Sequence, residues 1–259
     1  MYLKADHAEH SIGVLLDFIK QNPLGILTTA ISSPTFPLIQ SSHIPWVLDI
    51  HSDDPDAPVK GYLRGHMARQ NPQSKAIIEA LTTADSPSTL CLEQDVMVLF
   101  TGPYHHYVSP KFYRETKPNT GEVVPTWNYA AVQIYGKATV YHNSSSAETS
   151  AYLSKQIHDL SEHSETFIMG YNGREGRPEP WRVADAPGRY VEIKKKNIIG
   201  IEVTIESIGG KFKMSQDKNK GDRQGVIDGF ESLHSETGTN MARMVKEQGE
   251  KKDTEKVKS

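Results

Sequence analysis

Residues 96–141 read VMVLFTGPYHHYVSPKFYRETKPNTGEVVPTWNYAAVQIYGKATVY, and the rest of the chain is organised around them. Two runs, 96–100 (VMVLF) and 130–141 (AAVQIYGKATVY), are rich in β-branched and aromatic residues bounded by Gly and Pro, which is the pattern of strands. Between them lie Tyr104, His105, His106, Tyr107, Ser109, Lys111, Tyr113, Thr126, Trp127, Asn128 and Tyr129, punctuated by the turn-forming pairs Gly102-Pro103 and Ser109-Pro110. Rings with polar tips suit a flat ligand, because they offer a face to stack on and a donor at the edge. The same residues also suit a loop whose tyrosines pack on a sheet and bond backbone. Local sequence leaves both readings open.

Composition narrows the classes. With 37% hydrophobic and 24% charged residues, the 259-residue chain is of ordinary globular type and long enough to bury a core without staples. The single cysteine, Cys91, excludes an internal disulfide framework and a Cys-based zinc site, and its neighbours Leu90, Leu92 and Glu93 give it no cationic activation. A formal net charge of -3 and no basic stripe argue against a nucleic-acid footprint; the short run Lys194–Lys196 reads as a solvated edge. No apolar run reaches membrane-spanning length, and the opening MYLKADHAEH lacks the pattern of a secretory signal. The expected location is cytoplasmic, with no membrane partner.

Taken in order, the chain starts with a helix carrying Leu15, Leu16, Phe18 and Ile19, stopped at Asn22-Pro23, and a strand at 25–29. A strand-like unit follows at 37–49, then an acidic, Pro-rich loop at 51–60. A strand at 61–64 is expected to run through Gly65-His66 into a helical turn at 67–70, ended by Asn71-Pro72. Arg64, His66, Arg69 and Asn71 would then share one strand-to-helix junction, a place of free N–H groups and guanidinium forks suited to phosphate or carboxylate. His66 reads equally as a core histidine bonded to a carbonyl. A helix at 74–84, a polar insert at 85–95 and a helix after 141 with Leu153, Ile157 and Leu160 on one stripe are expected next. Trp181 reads as the core anchor of a Gly/Pro/Arg-rich span, and 198–205 as a strand. The polar stretch 211–223 looks too polar for a core element, and the charged tail 235–259 is expected to be disordered, leaving 1–234 as one domain.

Six motifs then carry a resemblance: NPLGIL (22–27), SHIPWVLD (42–49), GHMARQNPQ (65–73), LFTGPYHHYVSPKFY (99–113), VPTWNYAAVQIYG (124–136) and GGKFKMSQDKNKGDRQGVIDGF (209–230 with its flanking Gly). In this order they make the chain resemble the PaiB-type FMN-binding negative transcriptional regulators. The resemblance implies an α+β, mainly antiparallel β fold, an FMN-binding split β-barrel with peripheral helices, and a homodimer. The family run KLSQN stands here as KMSQD, so Asp217 replaces an amide by an acceptor-only carboxylate.

The same resemblance implies FMN as cofactor, with Arg64, Arg69 and Lys111 toward its phosphate and Trp127, Asn128 and Tyr129 bordering its rings. Some members are similar to haem-dependent piperazate synthases. They supply the alternative of haem b, with His66 as first choice of metal ligand, His43, His105 and His106 behind it, and Lys211 or Lys213 as the base. A third reading is a cofactor-free small-molecule sensor. Under the first two readings a small-molecule substrate is the expected partner.

Overall fold

The computed structural model describes residues 1–51, 61–83 and 90–258. In chain order its elements are β1 (Ala8–Glu9), α1 (Ile12–Gln21), β2 (Leu24–Ala30), β3 (Ile39–Pro45), β4 (Val47–Ile50), β5 (Gly61–Ala68), α2 (Pro72–Thr83), β6 (Val96–Thr101) and β7 (His106–Val108). Then come α3 (Thr116–Asn119), β8 (Thr126–Tyr141), α4 (Ala147–His163), α5 (Gly188–Lys196), β9 (Ile198–Lys213), α6 (Lys220–Glu231) and α7 (Glu236–Lys258). The chain divides into two compact units where the sequence suggested one domain over 1–234. A barrel unit comprises 16–100 and 133–208, and a terminal unit comprises 1–15, 101–132 and 209–259.

In the barrel unit the strands follow the order β3-β2-β6-β8-β9-β5-β4, with β2–β3, β2–β6, β4–β5 and β5–β9 paired antiparallel. The two ends of that order, β3 and β4, are consecutive in the chain and separated only by Trp46. Residues 39–45 pair with β2 (Ile26↔His43), and residues 47–50 pair with β5 (Leu48↔Leu63). One bent segment therefore starts the sheet and finishes it, which curls the sheet into a split barrel. The alternation of the strands fits this: Leu27, Ile44, Leu63, Val98, Phe100, Ile199 and Val203 are buried. Each such side chain contributes about 1.5–3 kcal/mol by leaving water. Trp46 sits at the bend, 1% exposed, and two glycines make room for it. A Cβ on Gly25 would stand 2.9 Å from the Trp46 ring and 2.7 Å from Phe100; one on Gly65 would stand 2.9 Å from Trp46 and 2.8 Å from Ile44.

The expected helical turn at 67–70 does not form, and β5 runs on to Ala68. Its pairing with β9 continues through His66↔Gly200, Met67↔Ile199 and Ala68↔Ile198, so each residue gains ladder bonds that a turn would forfeit. Asn71-Pro72 is a helix start, not a stop. The Asn71 side chain accepts from the Gln73 N–H at 2.9 Å, and Pro72 occupies the first helical position, where its missing N–H costs nothing. Trp181 is also not a core anchor. It is 47% exposed, and its segment is tied by the backbone instead, with Trp181 N–H donating to the Glu165 carboxylate at 3.0 Å. Most of the loop expected at 51–60 and much of the insert expected at 85–95 lie outside the described residues.

In the terminal unit β1 pairs with β9 (Ala8↔Lys211) and β7 with β8 (Tyr107↔Trp127). The tail expected to be disordered forms α7. Met241, Ala242 and Val245 are buried, and the Arg223 guanidinium pairs with the Asp253 carboxylate. Three apolar residues in so charged a stretch are too few to dominate its composition, but at this spacing they fall on one helix face. The polar stretch after Lys213 is likewise buried where it looked exposed: Ser215, Gln216, Asp222 and Arg223 lie under 10% exposed. Its burial is tolerated because the polar groups are bonded. Gln216 accepts from the Met214 N–H at 2.7 Å, and Asp222 accepts from the N–H groups of Glu115 (2.8 Å) and Thr116 (3.1 Å).

Candidate functional site

Of the residues singled out from sequence, Arg64, His66 and Arg69 fall in the barrel unit. Arg64 is 4% exposed, and its guanidinium is enclosed by acceptors: Asp49 at 2.5 and 3.1 Å, Asp159 at 2.7 Å and Gln156 at 3.3 Å. Burial disfavours its charge, but the bonds to Asp49 and Asp159 outweigh that and hold its pKa above the ordinary arginine value. With Nε, Nη1 and Nη2 all engaged by its own protein, Arg64 is an internal tie between β4, β5 and α4. It has no fork left for a phosphate. Arg69 donates from Nη2 to the His142 carbonyl. His66 stands opposite Gly200 on the ladder; its Nδ1 is buried without a hydrogen-bond partner, and burial lowers its pKa, so the imidazole is neutral at pH 7.

Lys111, Trp127, Asn128, Tyr129, Lys211 and Lys213 fall in the terminal unit. Lys111 is exposed on a short turn (Pro110–Phe112) whose N-cap is Ser109. Trp127 is 53% exposed and edge-on to Tyr107, with ring centroids 6.2 Å apart. Asn128 is fully buried and exchanges hydrogen bonds with the Ser215 hydroxyl at 3.1 and 3.2 Å, so it braces the backbone where Ser215 takes a positive φ of 58°. That is a structural role.

The remaining residues form a cationic, aromatic face. The Lys211 ammonium lies 5.6 Å from the Tyr129 ring centroid and 5.7 Å from that of Tyr2, a cation held between two π-faces. Lys213 Nζ donates to the Thr126 hydroxyl. Its pKa is lowered chiefly by burial; Asp217 counteracts this, while Lys211, Lys218 and Lys4 push it further down. Lys218 Nζ sits 5.5 Å above the Tyr113 ring. The Tyr113 hydroxyl is buried without a hydrogen-bond partner, and burial followed by the nearby Asp217 raises its pKa. Lys211, Lys218 and Lys4 all repel the Lys213 ammonium, the single Asp217 carboxylate only partly offsets them, and with the Tyr113 hydroxyl they are donors that a bound anion can engage. Adjacent Tyr129 and Trp127 offer faces for an aromatic ring system. The face therefore fits a phosphate-bearing flat cofactor such as FMN. Among the described residues no three His, Cys, Asp or Glu side chains gather as a metal site.

Sequence reading missed Tyr2, Lys4, His7 and Lys218 as members of this face. The first three lie about two hundred positions from Lys211 in the chain, and the β1–β9 pairing and ion pairs to Asp217, Lys251 and Lys252 bring them there. No local pattern announces such a pairing.

A family described as "Putative FMN-binding domain" matches residues 1–207. The chain belongs to this family. The FMN-binding family match ends before Lys211, but full-length relatives extend across that region. An uncharacterised protein of Aspergillus fumigatus is 58% identical over 264 residues, covering 98% of this chain and 99% of its own. The protease synthase and sporulation protein PAI 2 of Bacillus subtilis is 27% identical over 247 residues, covering 95% of each, in accord with the motif resemblance. A solved FAD and heme binding protein from Mycobacterium smegmatis aligns at 12% identity with a TM-score of 0.43, covering 80% of this chain and 73% of that one. No described helix is long and apolar enough to cross a membrane.

Proposed function

We propose that the chain binds FMN on the face formed by Lys211, Lys213, Lys218, Tyr113 and Tyr129, and serves a flavin-dependent redox role. The observation that carries this reading is the Tyr113 hydroxyl, buried without a hydrogen-bond partner among the described residues, with the Lys218 ammonium over its ring, together with the Lys211 ammonium held against Tyr129. Lys213 and Lys218 hold the phosphate by charge, and Tyr113 completes its hydrogen bonding. Trp127 and Tyr129 border the rings and exclude water from one side. Bound flavin supplies the electron transfer. Lys213, whose pKa is lowered chiefly by burial, is the group placed to hold or release a proton there. Cytoplasmic location and homodimer formation belong to the same reading, and a regulatory effect would follow from occupancy of this face by cofactor or small-molecule substrate.

Fluorescence titration with FMN tests this directly. Lys213→Gln and Tyr113→Phe are each expected to weaken binding about tenfold, the loss of one charged or well-placed donor. Unchanged affinity in both would remove the assignment.

One observation favours a second reading. His66 is a neutral imidazole with a buried free nitrogen, the state an axial haem ligand requires. Haemin addition should then give a Soret band that His66→Ala abolishes, and N-hydroxylated ornithine is the first substrate to try. A spectrum without that band leaves flavin in place.

A further inference from the structure

We propose that residues 2–9 form a strap across the Lys211–Lys213 face, latched by α7, and that release of the latch controls access to this face. The inference rests on the cofactor reading only for the identity of what the strap admits.

The strap is held at three points. At its start, the Tyr2 ring closes over the Lys211 ammonium on one side while Tyr129 holds the other. In the middle, Lys4 Nζ and His7 Nε2 each reach the Asp217 carboxylate at 3.5 Å. Toward its end, Asp6 pairs with Lys252, and Glu9 pairs with Lys251 at 2.5 Å; both lysines belong to α7. Backbone pairing adds little, since β1 comprises only Ala8 and Glu9. A cleft of about 400 Å³ lies along the strap, lined by Asp6, His7, Glu9, Phe212, Gln216 and Lys252 among others. The cleft opens on the Phe212 side of β9, opposite Lys211 and Lys213, and the strap stays closed largely through ion pairs.

Those pairs are well matched to switching. The side chain of Lys251 is 43% exposed and that of Asp6 is 34% exposed, so the latch is open to screening. Asp217 engages the strap residues Lys4 and His7 and also faces Lys213 and Lys218. An anion arriving at Lys213 competes with Asp217 for the same positive groups, which loosens the middle fastening as the site fills. Asp217 is thus a built-in counter-ion.

Pulse acetylation of the full chain with acetic anhydride, read by mass spectrometry at each lysine, tests the strap without any flavin. Exposed Lys117 on α3 serves as the reference. In Lys251→Glu/Lys252→Glu the rate at Lys211 and Lys213 should rise severalfold relative to Lys117. Raising salt from about 0.01 to about 1 M, which shortens the Debye length from about 30 to about 3 Å, should produce the same rise in the unaltered protein. The charge swap Asp6→Lys/Lys252→Asp should restore slow labelling relative to Lys252→Asp alone. Equal Lys211 and Lys213 rates across salt and variants would overturn the proposal, even if the double variant proved unstable. Failure of FMN to bind would leave this result standing and would strike only the cofactor reading.

Discussion

Arg64 holds its charge in a site 4% exposed, with Asp49, Asp159 and Gln156 around it. Removing one member of such a group leaves the others charged or unsatisfied. Arg64→Ala is therefore expected to lower stability by about 3 kcal/mol, with the partial exposure of both carboxylates keeping the loss at the low end for buried pairs. Chemical denaturation checks the size of the loss, and a change confined to flavin affinity would contradict it. From sequence, Arg64 was a phosphate ligand because its cationic fork was visible, whereas Asp159, ninety-five positions on, was not visible as its partner. Lys213 carries the opposite lesson. Its neighbourhood was legible as polar, but its pKa is lowered chiefly by burial, with Lys211, Lys218 and Lys4 adding to it, and that burial is supplied only by the fold. Since an anion must hold the protonated amine, FMN affinity should fall as pH rises through a value below the ordinary lysine pKa of about 10.4. For the free protein the sign is reversed. Between the lowered pKa and the unfolded one the unfolded chain binds more protons, so this group adds stability as pH rises. Titrations of affinity and of melting temperature with pH, on the same sample, separate the two.

Among the elements, the loop before α3 is fastened to α6 by two carboxylates, Asp228 pairing with Arg114 and Asp222 holding the backbone. Asp222 accepts from Glu115 N–H, Thr116 N–H and the Thr116 hydroxyl, while Asn219 caps the same helix by accepting from Asp222 N–H at 2.7 Å. Asp222→Ala strands two N–H groups in a buried setting, and a loss of about 2 kcal/mol is expected by denaturant titration. The strap gives an element-scale pH dependence. Asp6 has its pKa lowered to about 2, first by its bond to Lys252 and then by Lys4. A carboxylate with a depressed pKa contributes above its unfolded value and is lost as pH falls through its folded one. Protection of the Ala8 and Glu9 amides relative to their intrinsic exchange rates should thus fall between about pH 4 and pH 2, and constant protection over that range would count against the latch. Strands and their alternation were readable throughout because period-2 burial is written into the sequence. The extent of β5 and the existence of α7 were not, because each depends on a partner: β9 for one, and the bonded, buried flank of α6 for the other.

For the molecule, the decisive relation is that one segment, 39–50, supplies both ends of the barrel sheet. No local motif declares that Trp46 is a corner, although two glycines, at 25 and 65, mark where the corner needs space. Deleting α7 by ending the chain after residue 234 should uncover Phe230 and Val226 of α6, so a lower melting temperature and self-association in gel filtration are expected. Sedimentation of the full chain at micromolar concentration should show a dimer if the symmetric assembly implied by the family holds, and a monomer alone would exclude it.

The corner also has an optical consequence. Trp46 is sealed in hydrocarbon at 1% exposure, while Trp127 and Trp181 stand about half in solvent. The three indoles should emit at different wavelengths: Trp46 toward the blue, the other two toward the red. Acrylamide should quench the red component and spare the blue. A ligand arriving beside Tyr129 should dim Trp127 in particular, which gives each unit its own built-in lamp without any added dye.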